Sequence, residues 1–286
     1  QEALLEVLRA NAPSCGPRVK QFEEEFAKYC GTTYGLAVTS GTTGLQLAMI
    51  AAGIGPGDEV ITTPVSWIST ANAAAVLGAK VVFADVDTRT LNLDPASVEE
   101  KITPRTKAIV PVHLYGQCSD MDALNELARP RGIRVVEDAA HAAGAEYKGR
   151  RAGSIGHYGC FSFFPSQNLG AAGDGGMIVT NDEQRAEKLR ILRNHGSNPK
   201  YHHKVIGGNF RLDALQAAIV TVKLKHLDNW TAGRQHNAQK YNQLFAKVNL
   251  PGVLSKIILP KIATDRHIFN QYVIRVERRN ELQAFL

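Results

Sequence analysis

Cysteine is sparse and unpatterned. Cys15, Cys30, Cys118 and Cys160 stand far apart, with no CxxC pair and no Cys/His spacing. That excludes a zinc ribbon and a disulfide framework, and it reads as the reduced core thiols of a cytoplasmic protein. Long apolar runs are lacking too. The longest, residues 71–84, is interrupted by Asn72 and Lys80 and is too short to cross a bilayer. The opening EALLEVLRA carries acids where a secretion leader would carry a basic start and an apolar core, so no signal peptide is expected. Lys and Arg exceed Asp and Glu by 33 to 27, but the bases form no run and no aromatic interleaving. The charge of +6 therefore suits a small anionic ligand, and neither nucleic acid nor membrane is expected as a partner. The adjacent His202 and His203 would point apart on a strand, so no metal site is expected. Internal repeats and low-complexity segments are also missing.

What is present is an ordinary globular composition, 44% hydrophobic over 286 residues. That is long enough for one large domain and part of a second. Helices are expected at 2–10 and 17–28, the latter with Phe22 and Phe26 one turn apart. Beyond them, apolar strands alternate with helices: strands at 34–38, 58–63, 80–85, 107–112, 133–137 and 158–163, helices from Ser40, at 64–78 and at 120–129. This alternation predicts an α/β fold with a mainly parallel sheet covered on both faces. A strand at 177–180, possible as an antiparallel neighbour, and a basic helix at 182–194 follow. The stretch 215–245 reads as two helices broken near Asn229 and Trp230. Residues 251–266 carry no clear pattern, 271–276 reads as a strand, and 278–286 opens a helix with Asn280 as its cap. The chain starts at Gln1 and shows no helix stop before Leu286, so it is expected to continue at both ends.

Four places invite chemistry. After the strand at 34–38 comes TSGTTG, small residues whose free N–H groups at a helix start suit an anion, although Ser and Thr there are equally ordinary N-caps. Trp67 follows a strand end and suits either a helix core or a flat ligand surface. The strand at 133–137 ends in EDAAHA. A carboxylate there faces the ligand crevice of a parallel sheet and needs a positive partner, or else serves the structure. The buried run at 158–163 stops abruptly at Pro165, Ser166, Gln167 and Asn168 and gives way to the glycine-rich GAAGDGG, which is either a ligand loop or a surface turn.

The segments TSGTTGL, EDAAHA, FSFFPSQNLGAAGDGG and GGNFRLDALQAAI, in this order, resemble those of the DegT/DnrJ group of pyridoxal-phosphate (PLP) dependent nucleotide-sugar aminotransferases. The resemblance covers about 16–286. It implies the aspartate-aminotransferase-like fold (PLP fold type I): a large domain with a mainly parallel seven-stranded sheet, here 1–228, and a smaller α+β domain, here incomplete, at 229–286. It implies a cytoplasmic homodimer with composite sites, which moves an amino group from glutamate, leaving 2-oxoglutarate, to a nucleotide-linked keto sugar. The setting would be amino-sugar synthesis for a polysaccharide or an antibiotic. Pyridoxal 5'-phosphate and pyridoxamine 5'-phosphate (PMP) are the implied cofactors. Gly41 and Thr42 would hold the phosphate and Trp67 would stack on the ring. Asp138 would meet the ring nitrogen, His141 the ring hydroxyl, and Ser162 would also line the cofactor. Asn209 would reach the phosphate of the partner's cofactor, or else cap the helix that follows it. His113 is read as a satisfied histidine near a turn.

One lysine is missing. The resembled family has its Schiff-base lysine between Ser166 and Asn168, where this chain has Gln167. An amide nitrogen forms no imine and shuttles no proton, so this chain is expected to be inactive or trapped while its pocket still binds. Three readings stand: a substitution that traps an intermediate, a binding or regulatory homologue without turnover, and a PLP-dependent sugar dehydratase.

Overall fold

The computed structural model describes residues 2–10, 14, 16–199, 201–247 and 257–286. Cys15 and much of the unassigned 251–266 stretch lie outside them. Helices α1 (Glu2–Arg9) and α2 (Pro17–Cys30) lead into β1 (Tyr34–Val38) and α3 (Gly41–Ala51). Then come β2 (Glu59–Thr62), α4 (Ser69–Ala75), β3 (Lys80–Phe83), α5 (Pro95–Lys101), β4 (Thr106–Ile109), α6 (Met121–Ala128) and β5 (Arg134–Asp138). A small hairpin, β6 (Glu146–Tyr147) and β7 (Arg150–Arg151), precedes β8 (Tyr158–Ser162), β9 (Gly176–Thr180) and α7 (Glu183–Arg193). Helices α8 (Ala214–Leu224) and α9 (Leu227–Lys247), a hairpin of β10 (Ile257–Ile258) and β11 (Arg275–Val276), and α10 (Arg279–Phe285) complete the order.

Seven strands form one sheet in the order β1-β9-β8-β5-β4-β2-β3. All its pairings are parallel except those of β9, which runs against both β1 and β8. A sheet with crossover helices must be covered on both faces, and alternate residues of each strand supply two cores. Phe161, Met177 and Val179 join Phe22, Phe26 and Phe163 on one side. Cys160 and Ile178 join Leu36, Leu45 and Met49 on the other. Phe26 meets the Phe161 and Phe163 rings edge-on at 5.0 and 5.2 Å, the arrangement that aromatic quadrupoles favour.

Three expectations shift. The helix expected at 64–78 is confined to α4, because 64–68 turns instead and leaves Trp67 74% exposed, which removes its core reading. The break between the last long helices falls at Lys225 and His226, since Leu227 is fully buried and carries the turn inward. The strand expected at 271–276 shortens to two residues. Helix α5, not anticipated, had its signals in place: Asp94 accepts from the Ala96 N–H, and Pro95 occupies the first turn. Among the described residues no helix is long and apolar enough to cross a membrane.

Candidate active site

The carboxyl ends of β5 and β8 lie side by side, with Asp138 registered against Cys160 and the Ala139 N–H donating to the Cys160 carbonyl. Successive side chains of a strand point to opposite faces, so the two acids ending β5 part company. Glu137 is fully buried and accepts four hydrogen bonds, from His113 Nε2 and from the N–H groups of Gly153, Ile155 and Gly156. Because Ser119 N–H donates to His113 Nδ1, the His113 proton sits on Nε2, where it serves Glu137. His113 is thus the satisfied histidine that the sequence suggested.

Asp138 is only 4% exposed yet accepts just two, from Thr70 Oγ1 at 2.7 Å and the Ala140 N–H at 3.2 Å. Thr70 Oγ1 in turn lies 3.0 Å from Ser66 Oγ, and the Thr70 backbone N–H donates to the Trp67 carbonyl, tying the exposed 64–68 turn to the acid. His141 sits three residues on. Burial pulls its imidazole below the ordinary histidine range against the opposing pull of Asp138, and its Nδ1 is buried without a hydrogen-bond partner.

Across β9, the helix start at Ser40 is capped by its own side chain, which accepts from the Thr43 N–H. The N–H groups of Gly41 and Thr42 precede the first intrahelical bonds and stay available. A side chain at Gly41 would stand 2.8 Å from Ser162 Cβ, so glycine is what lets α3 press against the end of β8. Gly41, Thr42, Ser162, Asp138 and Cys160 thereby share one end of the sheet. Asn209 is exposed and bridged to Asn194, and the Phe210 carbonyl next to it accepts from the Thr39 N–H, which sets Asn209 beside the same helix start.

Gln167 lies in the turn after β8, its N–H donating to the Phe164 carbonyl. Its side-chain Oε1 accepts from Asn270 Nδ2 at 2.9 Å. Asn270 is a site residue the sequence reading missed. It belongs to a strap, 267–271, bound to the 3₁₀ turn Leu114–Gly116 by Ile268 N–H to the Gly116 carbonyl and by Gln271 N–H to that of Tyr115. At Gly116, with φ +101°, a Cβ would come within 2.7 Å of Ile268 and 2.9 Å of the Asn270 nitrogen. The lone available signal was a polar Asn between Phe269 and the apolar 272–274 run.

The donor set fits a phosphorylated pyridine. There are free N–H groups at a helix start for the phosphate, an under-satisfied buried carboxylate for a protonated ring nitrogen, an orphaned imidazole nitrogen for a ring hydroxyl, and an exposed indole face. Only the covalent partner is missing, since no amine stands at 167. Among the described residues no group of His, Cys, Asp and Glu is placed to hold a metal.

Fold and site together define an aminotransferase of PLP fold type I. The chain belongs to the DegT/DnrJ/EryC1/StrS aminotransferase family, whose model matches residues 1–286. It is 49% identical over 282 residues to the "pleiotropic regulatory protein" of Geobacillus stearothermophilus, covering 98% of this chain and 75% of that one. It is 45% identical over 284 residues to the dTDP-3-amino-3,4,6-trideoxy-alpha-D-glucose transaminase of Streptomyces venezuelae, covering 99% and 74%. The crystal structure of S. venezuelae DesV with a ketimine intermediate superposes with a TM-score of 0.93 at 46% identity, covering 99% of this chain and 75% of that one. The family's enzymes are PLP-dependent sugar aminotransferases.

Proposed function

We propose that this chain is a nucleotide-sugar aminotransferase whose cofactor pocket is kept and whose turnover is disabled at Gln167. The observation that carries the reading is the contrast at the end of β5: Glu137 is saturated by four donors, while its buried neighbour Asp138 keeps acceptor capacity for a charged ligand. When bound, the cofactor supplies the amine carrier and the electron sink. Asp138 would hold a proton on the ring nitrogen, with its carboxylate fixed by the Thr70 hydroxyl. Gly41 and Thr42 hold the phosphate through backbone N–H groups and the positive end of α3. His141 Nδ1 would meet the ring hydroxyl, Trp67 would cover one ring face, and Ser162 would line the wall beside Gly41.

The substrates that fit this reading are a nucleotide-linked keto sugar and glutamate, with 2-oxoglutarate released, inside the cytoplasm. The large domain would span 1–228 and the smaller one 229–286, with α9 crossing that boundary. A homodimer is supported by large apolar side chains left open in the turns after β2 and β8 and in the loop before α8, where Trp67, Phe164 and Ile206 are 74%, 54% and 96% exposed. A second copy would cover them and bring its own Asn209 to the phosphate.

Gln167 has no lone pair basic enough to take a proton at neutral pH, so position 167 would supply no general base. The test is Gln167→Lys assayed with glutamate and a panel of nucleotide-linked keto sugars. Amine transfer should rise by at least ~10²–10⁴-fold, the usual general-base contribution. A Lys variant that forms the covalent adduct yet moves no amine would favour the binding or regulatory reading, and loss of a sugar hydroxyl instead of amine gain would favour the dehydratase.

A further inference from the structure

The amides around position 167 form a directional chain. Asn270 Nδ2 spends both of its N–H bonds on oxygen acceptors, Gln167 Oε1 at 2.9 Å and Asn168 Oδ1 at 2.9 Å. Asn168 is buried, and its Nδ2 donates onward to the Ile268 carbonyl at 3.4 Å. Turning Asn270 over would face its Oδ1 with the Oδ1 of Asn168. Turning Asn168 over as well would restore the bond to Asn270 but forfeit the Ile268 bond and set Asn168 Oδ1 against the Ile268 carbonyl, so that backbone acceptor fixes the direction. The chain therefore runs one way, and its free end is an N–H pointing at the side chain of residue 167.

The strap that carries Asn270 is held from several sides. Ile268 and Gln271 donate to the turn at 115–116, Arg234 of α9 reaches the carbonyls of Phe269 and Asn270, and His267 Nδ1 accepts from the Phe269 N–H. The donor is thus placed by backbone contacts that do not depend on residue 167.

The geometry points to Asn270 as a positioning residue for side chain 167, one that demands a hydrogen-bond acceptor there. The inference rests on reading 167 as the position of the reacting amine. An amide oxygen meets the demand, as Gln167 does. A neutral lysine amine, with its single lone pair, meets it as well. An ammonium group, which has three donors and no lone pair, does not. In the lysine form Asn270 would hold the amine by its lone pair and favour the uncharged state, which is the nucleophilic and basic one. In the chain as it stands, the same bond turns the donor end of the Gln167 amide away from the strap.

The charged and titratable groups on the surrounding elements are Arg234 on α9, Lys223 on α8, His267 in the strap, Tyr115, and the Asp138 and His141 pair after β5. All are constant across the comparison that tests the idea. The experiment is done on the full chain without cofactor, so its outcome is independent of whether the pocket binds PLP. Gln167→Lys is compared with Gln167→Lys/Asn270→Ala and Gln167→Lys/Asn270→Asp. The pH dependence of acetylation by acetic anhydride of the amine introduced at position 167 is read by peptide mass spectrometry.

The single variant should titrate below the ordinary lysine value of about 10.4. The Asp double variant, which offers an acceptor and a negative charge, should titrate higher by about one pH unit or more. The Ala double variant should fall between them. Three coincident midpoints would overturn the inference. A second measurement needs no substitution: in the chain with Gln167, the Asn270 side-chain amide protons, both bonded, should exchange with solvent about tenfold or more slowly than free amides. Exchange at the free rate would also overturn it.

Discussion

Glu137 and Asp138 are neighbours of the same charge at the end of the same strand, and they do opposite work. Glu137 points into the layer between β5 and the 153–156 turn, where three backbone N–H groups and one imidazole N–H consume its lone pairs. It stitches the chain together. Asp138 points to the opposite face, nearly as dry, but has only a threonine hydroxyl and one backbone N–H. A buried carboxylate left so lightly bonded is costly unless a cation completes it. The difference teaches that two similarly buried acids can differ in unspent acceptor capacity, and under the proposed function that capacity, not burial, is what marks Asp138 as the cofactor's acid.

The comparison can be broken by exchanging the two charges for amides. Glu137→Gln sets an NH₂ group against backbone N–H donors that have no other partner, and unsatisfied buried donors cost about 1–3 kcal/mol each. Denaturant unfolding should show a loss of about 2–5 kcal/mol, with little effect on cofactor affinity among molecules that remain folded. Asp138→Asn should do the reverse. Its oxygen can keep the Ala140 N–H bond while its NH₂ donates to the Thr70 hydroxyl, which can turn to accept, so stability should hardly change. PMP affinity, measured by equilibrium dialysis, should fall about tenfold or more, as removal of a charge-assisted bond does. If the two variants gave the same pattern, the division of labour between the acids would be wrong.

A smaller effect separates the strap from the sheet. Burial depresses the imidazoles of His267, in the strap, and His157, before β8, to about 4. For His157 the Arg185 and Arg134 charges add to the burial. A histidine depressed in the folded state binds its proton preferentially when unfolded, so it lends stability that is complete above its unfolded value of about 6.5 and is lost as pH falls toward about 4. Melting temperature should therefore decline across that window. His267→Gln should flatten part of the decline without touching the plateau above about pH 7, and an unchanged slope would remove His267 from the account.

Much of this was legible in the sequence, for local reasons. The run at 158–163 announced a strand end because a mostly apolar stretch stops at once at 165–168, the shorter IRVV before EDAAHA did so more weakly, and the β9 segment was recognisable as a strand by its apolar run. Asp138, His141, Gly41 and Ser162 could be offered as candidates because each sits in a contiguous motif that carries the family resemblance. What stayed hidden depends on distant parts of the chain. The 64–68 segment reads as helix by composition, but it turns instead, and Thr70 draws it toward Asp138, a residue 68 positions away. Asn270 could not be read at all, because its partners Gln167 and Asn168 lie 103 and 102 residues earlier. Glu137 and Asp138 looked alike until the pleat separated them.

The most direct test of the central claim mixes the purified protein with PLP and, separately, with PMP, then adds borohydride and records the absorbance spectrum and intact mass. The chain with Gln167 should bind PMP tightly and show no lysine-linked adduct, while Gln167→Lys should acquire one reduced cofactor per chain at position 167. An adduct on the Gln167 chain would place the reacting amine elsewhere and contradict the account, as would failure of either protein to bind.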